Sequence, residues 1–325
     1  MYERYFDLTR SPFRLAPDAH FFFVTNSNRE ALVGLGCAIT GRAGLAVISG
    51  DAGTGKTTLL RTFLASIPSE RVDYSYVLTP TLSPAEFLRT CLADFGVASL
   101  PHDKAGLLAA MQEVLVERRR QGRLAVLVVD EAHKLTLEVL EELRLLTNFE
   151  DADGKLLQIL LSGQNELDET LRREDLRQFK QRVAYRFAIQ PLSTEEVEHY
   201  IQHRWTKASD QRRHPFTVEA VKLVAQYSHG IPRVVNTICD NALLTAFGSQ
   251  TLRVEKEHVL EAVSDLDLAI APGERIPLSR VAARVAAPPV KPNGTHAQAA
   301  APPEPAPVEV EAPRPRKEKF IRLGI

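Results

Sequence analysis

The stretch Gly50-Asp-Ala-Gly-Thr-Gly-Lys-Thr-Thr58, GDAGTGKTT, decides how the rest of the chain is read. Gly50, Gly55, Lys56 and Thr57 fill the fixed positions of G-x-x-x-x-G-K-[ST]. In such a loop the glycines let backbone N–H groups turn inward around a phosphate. A helix beginning at the lysine presents its positive end to the same point. Gly50, Asp51, Ala52, Gly53, Thr54, Gly55, Lys56, Thr57 and Thr58 are therefore the candidate ATP-binding residues. Lys56 is expected to reach the β- and γ-phosphates and the Thr57 hydroxyl to ligate Mg2+. The plainer alternative is a polar turn with no ligand. Context argues against it: the loop follows a short apolar run, GLAVISG (Gly44–Gly50), and opens a helical pattern over Lys56–Ile67.

Outward from that loop, strand-like and helix-like patterns alternate. VDYSYVL (Val72–Leu78), LAVLVVD (Leu124–Asp130), LLQILLS (Leu156–Ser162) and YRFAIQP (Tyr185–Pro191) read as strands. Ser83–Phe95, with Ser83 as cap and Pro84 at the first helical position, and Lys104–Arg120 read as helices. Thr136–Phe149 is amphipathic, with Leu137, Leu140, Leu143 and Leu146 spaced as one face. Near-continuous apolar strands separated by helices imply a parallel sheet covered on both faces. After Pro191 the strands stop, and Ser193–Lys207, Val218–His229, Pro232–Ala246 and Glu255–Leu266 all read as helices. The expected fold class is α/β: a parallel-sheet nucleotide domain, a small all-α lid and a Pro-rich tail. The expected boundaries are an N-terminal extension flanking the nucleotide site over 1–43, the ATPase domain over 44–191, the lid over 192–268 and a disordered tail over 269–325.

A phosphate loop of this kind needs an acid at the end of a neighbouring buried strand. Asp130, closing LAVLVVD, is the second candidate Mg2+ residue beside Thr57. Glu131 is placed to orient or deprotonate the attacking water. The competing reading of Asp130-Glu131 is a cap for the following helix. The spelling Asp130-Glu131-Ala132-His133 matches a helicase label, but no downstream helicase arginine motif accompanies it. At the end of the next strand, Ser162 or Gln164 is a candidate γ-phosphate sensor, set against a simple strand-to-loop transition. Arg182 and Arg186 flank Val183–Tyr185 at the expected sheet edge, where either is a candidate arginine finger for a neighbouring subunit's nucleotide. Arg233 opens a lid helix after Ile231-Pro232 and is a candidate for reaching the phosphates on lid closure. For all three arginines the plain alternative is a solvated surface residue.

Bulk properties narrow the classes. The 325 residues carry 40 Lys/Arg against 41 Asp/Glu, so net charge gives no nucleic-acid signature. From Ala271 onward nine Lys/Arg stand against five Asp/Glu, a local +4 within a total of −1, so the body carries −5. Arg118-Arg119-Arg120 and Arg212-Arg213-His214 are the basic runs of the body and read as solvated helix ends without interleaved aromatics. Cys37, Cys91 and Cys239 are far apart, which argues against a disulfide scaffold or zinc site and fits a reducing compartment. The opening MYERYFDLTRSPF lacks the apolar core of a signal peptide, and no run approaches the length of a membrane span. The expectation is a cytoplasmic protein with no transmembrane segment. Eleven of the 20 prolines follow Ala271, so that segment is expected to be disordered or polyproline-like. Its end, RPRKEKFIRLGI, reads either as an untidy terminus or as a docking peptide on a tether.

Together these residues resemble an AAA+ ATPase, and more specifically the ExeA/GspA-type general secretion ATPases. The resemblance is carried by YFDLTRSPFRLAPDAHFFF, GDAGTGKTTLLR, DEAHKL with LEELRLLTNFE, LLQILLSGQNEL, QRVAYRFAIQPLSTEEVEHYIQHR and HGIPRVVNTICDNALL, and covers residues 1–267. It implies ATP-driven work in envelope secretion or polysaccharide export, by a homo-oligomer. It also implies Arg233 as a lid sensor, Arg182 or Arg186 as a finger, and the segment Pro12–Phe23 near the adenine. The sequence departs from the family at His133, where glutamine is commoner. It also departs in carrying a Pro-rich tail where the full-length secretion proteins have a transmembrane helix and a peptidoglycan-binding module. Shorter relatives linked to exopolysaccharide and exosortase systems have a closer layout. The resemblance thus points to envelope export machinery as partner, reached through the tail, and to a site at the inner face of the cytoplasmic membrane. A DNA-associated transposition regulator sharing the same core is the less favoured alternative. A slow nucleotide-dependent scaffold is the third.

Overall fold

The computed structural model describes residues 2–78, 81–211 and 213–268. The expectations for the tail, 269–325, and for its docking end lie outside these residues, as does Arg212.

Five strands form one parallel sheet: β1 (Leu45–Ser49), β2 (Val72–Val77), β3 (Leu124–Val129), β6 (Leu157–Ser162) and β7 (Val183–Ala188), in the order β2-β3-β6-β1-β7. Two short strands, β4 (Glu150–Asp151) and β5 (Gly154–Lys155), make a separate antiparallel hairpin. The sheet follows from side-chain alternation in strands buried on both faces. Leu45 and Val47 of β1, Ala125, Leu127 and Val129 of β3, and Leu157, Ile159 and Leu161 of β6 feed one core. Ala46 and Ile48, Val126 and Val128, and Leu160 feed the other. α3 (Pro84–Asp94), α4 (Lys104–Arg120) and α5 (Leu137–Leu146) cover the first face. α1 (Asn26–Thr40) and α2 (Lys56–Ser66) cover the second. Buried Gln158 of β6 is satisfied at both ends of its amide, accepting from the Gly44 N–H and donating to the Lys155 carbonyl.

Three differences from the sequence reading have physical causes. The last strand runs Val183–Ala188, not Tyr185–Pro191. It is an edge strand, with Tyr185 and Arg186 exposed, and its register to β1 shifts between Leu45 and Ala46. Ile189 still donates its N–H to Ser49, so pairing continues one residue past the strand. On α5, Leu137 is 39% exposed and Val139 takes its place in the core, because Leu137 sits in the first turn beside the Thr136 cap. α1 has no counterpart in the sequence reading. Its inward residues Ala31, Leu35, Ala38 and Ile39 follow helical spacing, but Gly34 and Gly36 break the pattern.

The lid is built from α8 (Thr194–Ala208), α9 (Val218–Ser228), α10 (Pro232–Gly248) and α11 (Lys256–Asp265) around fully buried Trp205. Tyr2, Phe6 and Phe13 belong to this lid core. The first 43 residues therefore divide: the leading segment is sewn to the lid, and α1 packs on the sheet. Between α9 and α10, His229 and Gly230 both take left-handed backbone (φ 49° and 72°). Gly230 accepts the Leu192 N–H through its carbonyl, and a Cβ there would lie 1.9 Å from the Leu192 carbonyl oxygen. Left-handed strain plus overpacking sets the cost of Gly230→Ala at roughly 2–4 kcal/mol. Thermal unfolding is expected to shift down by about 5–12 °C; an unchanged midpoint would contradict the close approach.

Short helices α6 (Asn165–Leu171) and α7 (Arg177–Lys180) link β6 to β7. No helix among the described residues is long and apolar enough to cross a membrane.

Candidate functional site

The carboxyl ends of β1, β3 and β6 converge, the place where open parallel α/β sheets bind ligands. Gly50 follows β1 directly. A Cβ on Gly50 would lie 2.4 Å from the Ile189 carbonyl oxygen, so the loop leaves the sheet where only glycine fits. Gly55, at φ 97°, then delivers the chain into α2. Lys56, the first residue of that helix, is 7% exposed. Its Nζ donates to the carbonyls of Gly50 and Asp51 at 2.8 Å each, closing the loop on itself. Burial lowers the Lys56 pKa, and the carboxylates of Glu131, Asp130 and Asp51 oppose that shift.

Asp130, 3% exposed, stands at the end of β3. Its Oδ2 accepts from the Thr57 hydroxyl at 2.6 Å and the Tyr76 hydroxyl at 3.2 Å. Its Oδ1 accepts from the Ser162 hydroxyl at 2.8 Å and the Glu131 N–H at 3.0 Å. Four donors on one buried carboxylate fix its orientation. Burial and the adjacent Asp130 push the Tyr76 hydroxyl up, so it stays a protonated donor. Ser162 thus faces Asp130, and of the two sensor candidates Gln164 is the one bordering the open cavity.

Glu131 adopts left-handed backbone, φ 54°, unusual for a residue with a Cβ. Such strain gathers at functional sites, and here it turns the carboxylate to the cavity. Its Oε2 lies 3.3 Å from Lys134 Nζ and 3.7 Å from His133 Nε2.

A cavity of about 450 Å3 opens at this point, within the range of small-molecule sites. One wall is Ala52–Thr58 with Glu131 and Gln164; the facing wall comes from Arg14–Asp18 and Phe21–Phe23, and Arg233 and Asn236 of α10 close the side. The Arg233 N–H donates to the Gly53 carbonyl at 3.2 Å, tying the lid to the loop, while its side chain is exposed. The Asp51 side chain is held by Asn165 at the start of α6.

Two expected residues lie elsewhere. Arg182 and Arg186 are exposed at the β7 edge and do not line the cavity. Arg186 is paired with Asp168 at 3.0 Å. The basic run at the end of α4 is largely neutralised within the chain. Arg118 pairs with Asp73, Arg119 with Asp151 and Asp153, and the nearby Arg123 with Asp73.

The sequence reading missed Arg204, which organises the facing wall. This buried lid residue donates to the carbonyls of Pro12 and Arg14 and to the Tyr200 hydroxyl, and stacks over Phe21 with 4.7 Å to the ring centroid. Tyr200 in turn donates to Asn236 at 3.0 Å. The carbonyl partners of Arg204 lie about 190 positions away in sequence, so nothing local marks its hold on the facing wall.

Comparison with known proteins agrees with this geometry. Residues 39–171 match the AAA domain family. General secretion pathway protein A of Aeromonas hydrophila is 38% identical over 251 residues, covering 76% of this chain and 45% of that protein. The chain thus spans less than half the length of that relative. The ATP-dependent target DNA activator B of Escherichia phage Mu is 27% identical over 229 residues, covering 69% of this chain and 67% of that one. Among solved structures, the Aeropyrum pernix ORC2 protein in ADPNP–ADP complexes superposes with a TM-score of 0.59 at 18% identity, covering 79% and 72% of the two chains. The Thermotoga maritima RuvB branch migration motor superposes with a TM-score of 0.52 at 16% identity, covering 79% and 74%. The fold is the parallel-sheet P-loop fold of AAA proteins.

Proposed function

We propose that this AAA-type chain, similar to general secretion pathway protein A, binds and hydrolyses ATP at the Gly50–Thr58 loop. One observation carries the reading: a buried carboxylate, Asp130, accepts the hydroxyl of Thr57 while the next residue, Glu131, turns its own carboxylate into the cavity. A turn built only for structure has no use for that pair. The residues present suit a magnesium nucleotide, since Thr57 and Asp130 offer hard oxygen donors beside a loop of inward N–H groups. Thr57 and Asp130 would hold the Mg2+, which would supply neutralisation of phosphate charge there.

Lys56 supplies the fixed cation for those phosphates, with its position set in advance by two loop carbonyls. Glu131 orients the attacking water and takes up its proton. Gln164 contacts the γ-phosphate, and Arg233 approaches it from the lid. The wall from Arg14 to Phe23 holds the base, fixed by Arg204. Arg182 or Arg186 acts on a neighbouring copy's nucleotide, since neither lines the cavity of its own chain. The free outer edge of β7, where Arg186 stands exposed, is the surface available for that role in a homo-oligomer.

The biological setting we favour is ATP-driven support of envelope secretion or polysaccharide export, in the cytoplasm or at the inner face of the membrane. The likeness to general secretion pathway protein A supports it. The likeness to the target DNA activator supports DNA as a second reading. Against DNA stands the neutralisation of Arg118, Arg119 and Arg123 by carboxylates of the same chain. The discriminating experiment is phosphate release with and without duplex DNA. Turnover within about twofold in either condition is expected when the basic run of the described residues is neutralised within the chain. Strong, salt-sensitive stimulation by DNA would move the assignment to a transposition-type regulator.

A further inference from the structure

We propose that His133 is a positioning residue that couples Gln164 to Glu131, so that γ-phosphate contact at Gln164 fixes the water-activating carboxylate. The inference rests on the ATPase reading above and extends it to a residue that reading leaves without a role.

His133 lies in the single turn Ala132–Lys134, immediately after the strained Glu131. Its side chain is 12% exposed, so its ring is held rather than solvated. Its Nδ1 accepts the backbone N–H of Gln164 at 3.4 Å. In a neutral imidazole that assigns the proton to Nε2, since one ring nitrogen accepts and the other donates. The Nε2 lies 3.3 Å from Gln164 Nε2 and 3.7 Å from Glu131 Oε2. With Nε2 a donor, a half-turn of the Gln164 amide sets its oxygen in place of its nitrogen against the ring and leaves the NH2 to donate into the cavity. One ring thereby orients the sensor amide, anchors the start of α6 and holds its single N–H proton between that amide and the Glu131 carboxylate. Lys134 also approaches Glu131, but its side chain is 53% exposed and the pair is screened by solvent. His133 is thus the sheltered polar contact of Glu131, and the one that also touches Gln164.

A purely structural role for His133 makes a different forecast, and two variants of the full chain separate them. His133→Asn places an oxygen where Nδ1 stands and keeps the Gln164 N–H satisfied, but it is too short to reach Glu131. His133→Gln extends an amide to where Nε2 stands. The readouts are kcat and KM for ATP, Kd for ADP and for a non-hydrolysable ATP analogue, and the melting temperature. For His133→Asn, kcat is expected to fall by about 30-fold or more through loss of orientation. ADP affinity should stay within about twofold, and the preference for the ATP analogue over ADP should drop by about tenfold, because only the γ-phosphate contact is loosened. His133→Gln should hold kcat within about fivefold of wild type.

Turnover of His133→Asn within about threefold of wild type would overturn the proposal. So would equal losses of kcat, ADP affinity and melting temperature in both variants, which mark a structural residue. Should the wild type bind ATP without turning it over, the ATPase reading fails instead. The analogue-to-ADP preference then decides the inference by itself, and an unchanged ratio in His133→Asn would overturn it.

Discussion

Replacing Lys56 by alanine abolishes nucleotide binding and leaves the apo fold intact. The two halves of that expectation have separate causes. In the free protein the Lys56 ammonium is buried against two loop carbonyls, and burial already lowers its pKa. Relief of a buried cation whose charged form is disfavoured offsets the loss of its two carbonyl contacts, so the fold persists. In the proposed complex the same ammonium contacts phosphate oxygens, and each charge-assisted bond contributes about 1.5–3 kcal/mol. Two such contacts correspond to a loss of at least about 100-fold in affinity. Thermal shift reads both halves together. The wild type should gain about 2.7 kcal/mol of apparent stability at ATP concentrations 100 times Kd. The variant should match the wild type without ATP and gain nothing with it. Tight ATP binding by Lys56→Ala would refute the phosphate-site assignment.

The second large effect separates binding from chemistry. Glu131→Gln keeps the length of the side chain and its left-handed backbone but removes the base. Binding of Mg2+ and ATP should survive, since Thr57, Asp130 and Lys56 are untouched. Turnover should fall by about 10²–10⁴-fold, the usual weight of a positioned general base. Calorimetric titration and phosphate release measure the two quantities independently. Normal turnover in this variant would remove Glu131 from its role, and lost binding would make it a structural residue of the loop.

The parts of the molecule legible in the sequence are those with short-range signatures. GDAGTGKTT, the apolar runs of β1, β3 and β6, and the capped lid helix α8 each announce themselves within about a dozen residues. α1 was hidden because Gly34 and Gly36 interrupt its apolar face. Gly34 is demanded by Phe187 across the sheet, whose ring would lie 2.3 Å from a Cβ there. β7 begins two residues before the expected strand because it is a largely exposed edge strand with no buried run to mark its bounds, and its register to β1 is irregular. The hairpin turn at Asp151–Gly154 has a local signal in Asp153-Gly154. At the site, the loop and its acid have local patterns. The facing wall does not: Arg204 acts on Pro12 and Arg14 from another part of the chain, and Tyr76 reaches Asp130 from a neighbouring strand. The basic residues Arg118 and Arg119 looked free in sequence and are occupied in the fold by Asp73 and Asp151.

The measurement that tests the central claim most directly is steady-state phosphate release by the purified full chain at saturating ATP, with and without Mg2+. The account predicts turnover that requires Mg2+, is absent in Lys56→Ala and is lost in Glu131→Gln despite retained ATP binding. Turnover that persists in both variants, or none at all in a wild type saturated with Mg2+ and ATP, would contradict it.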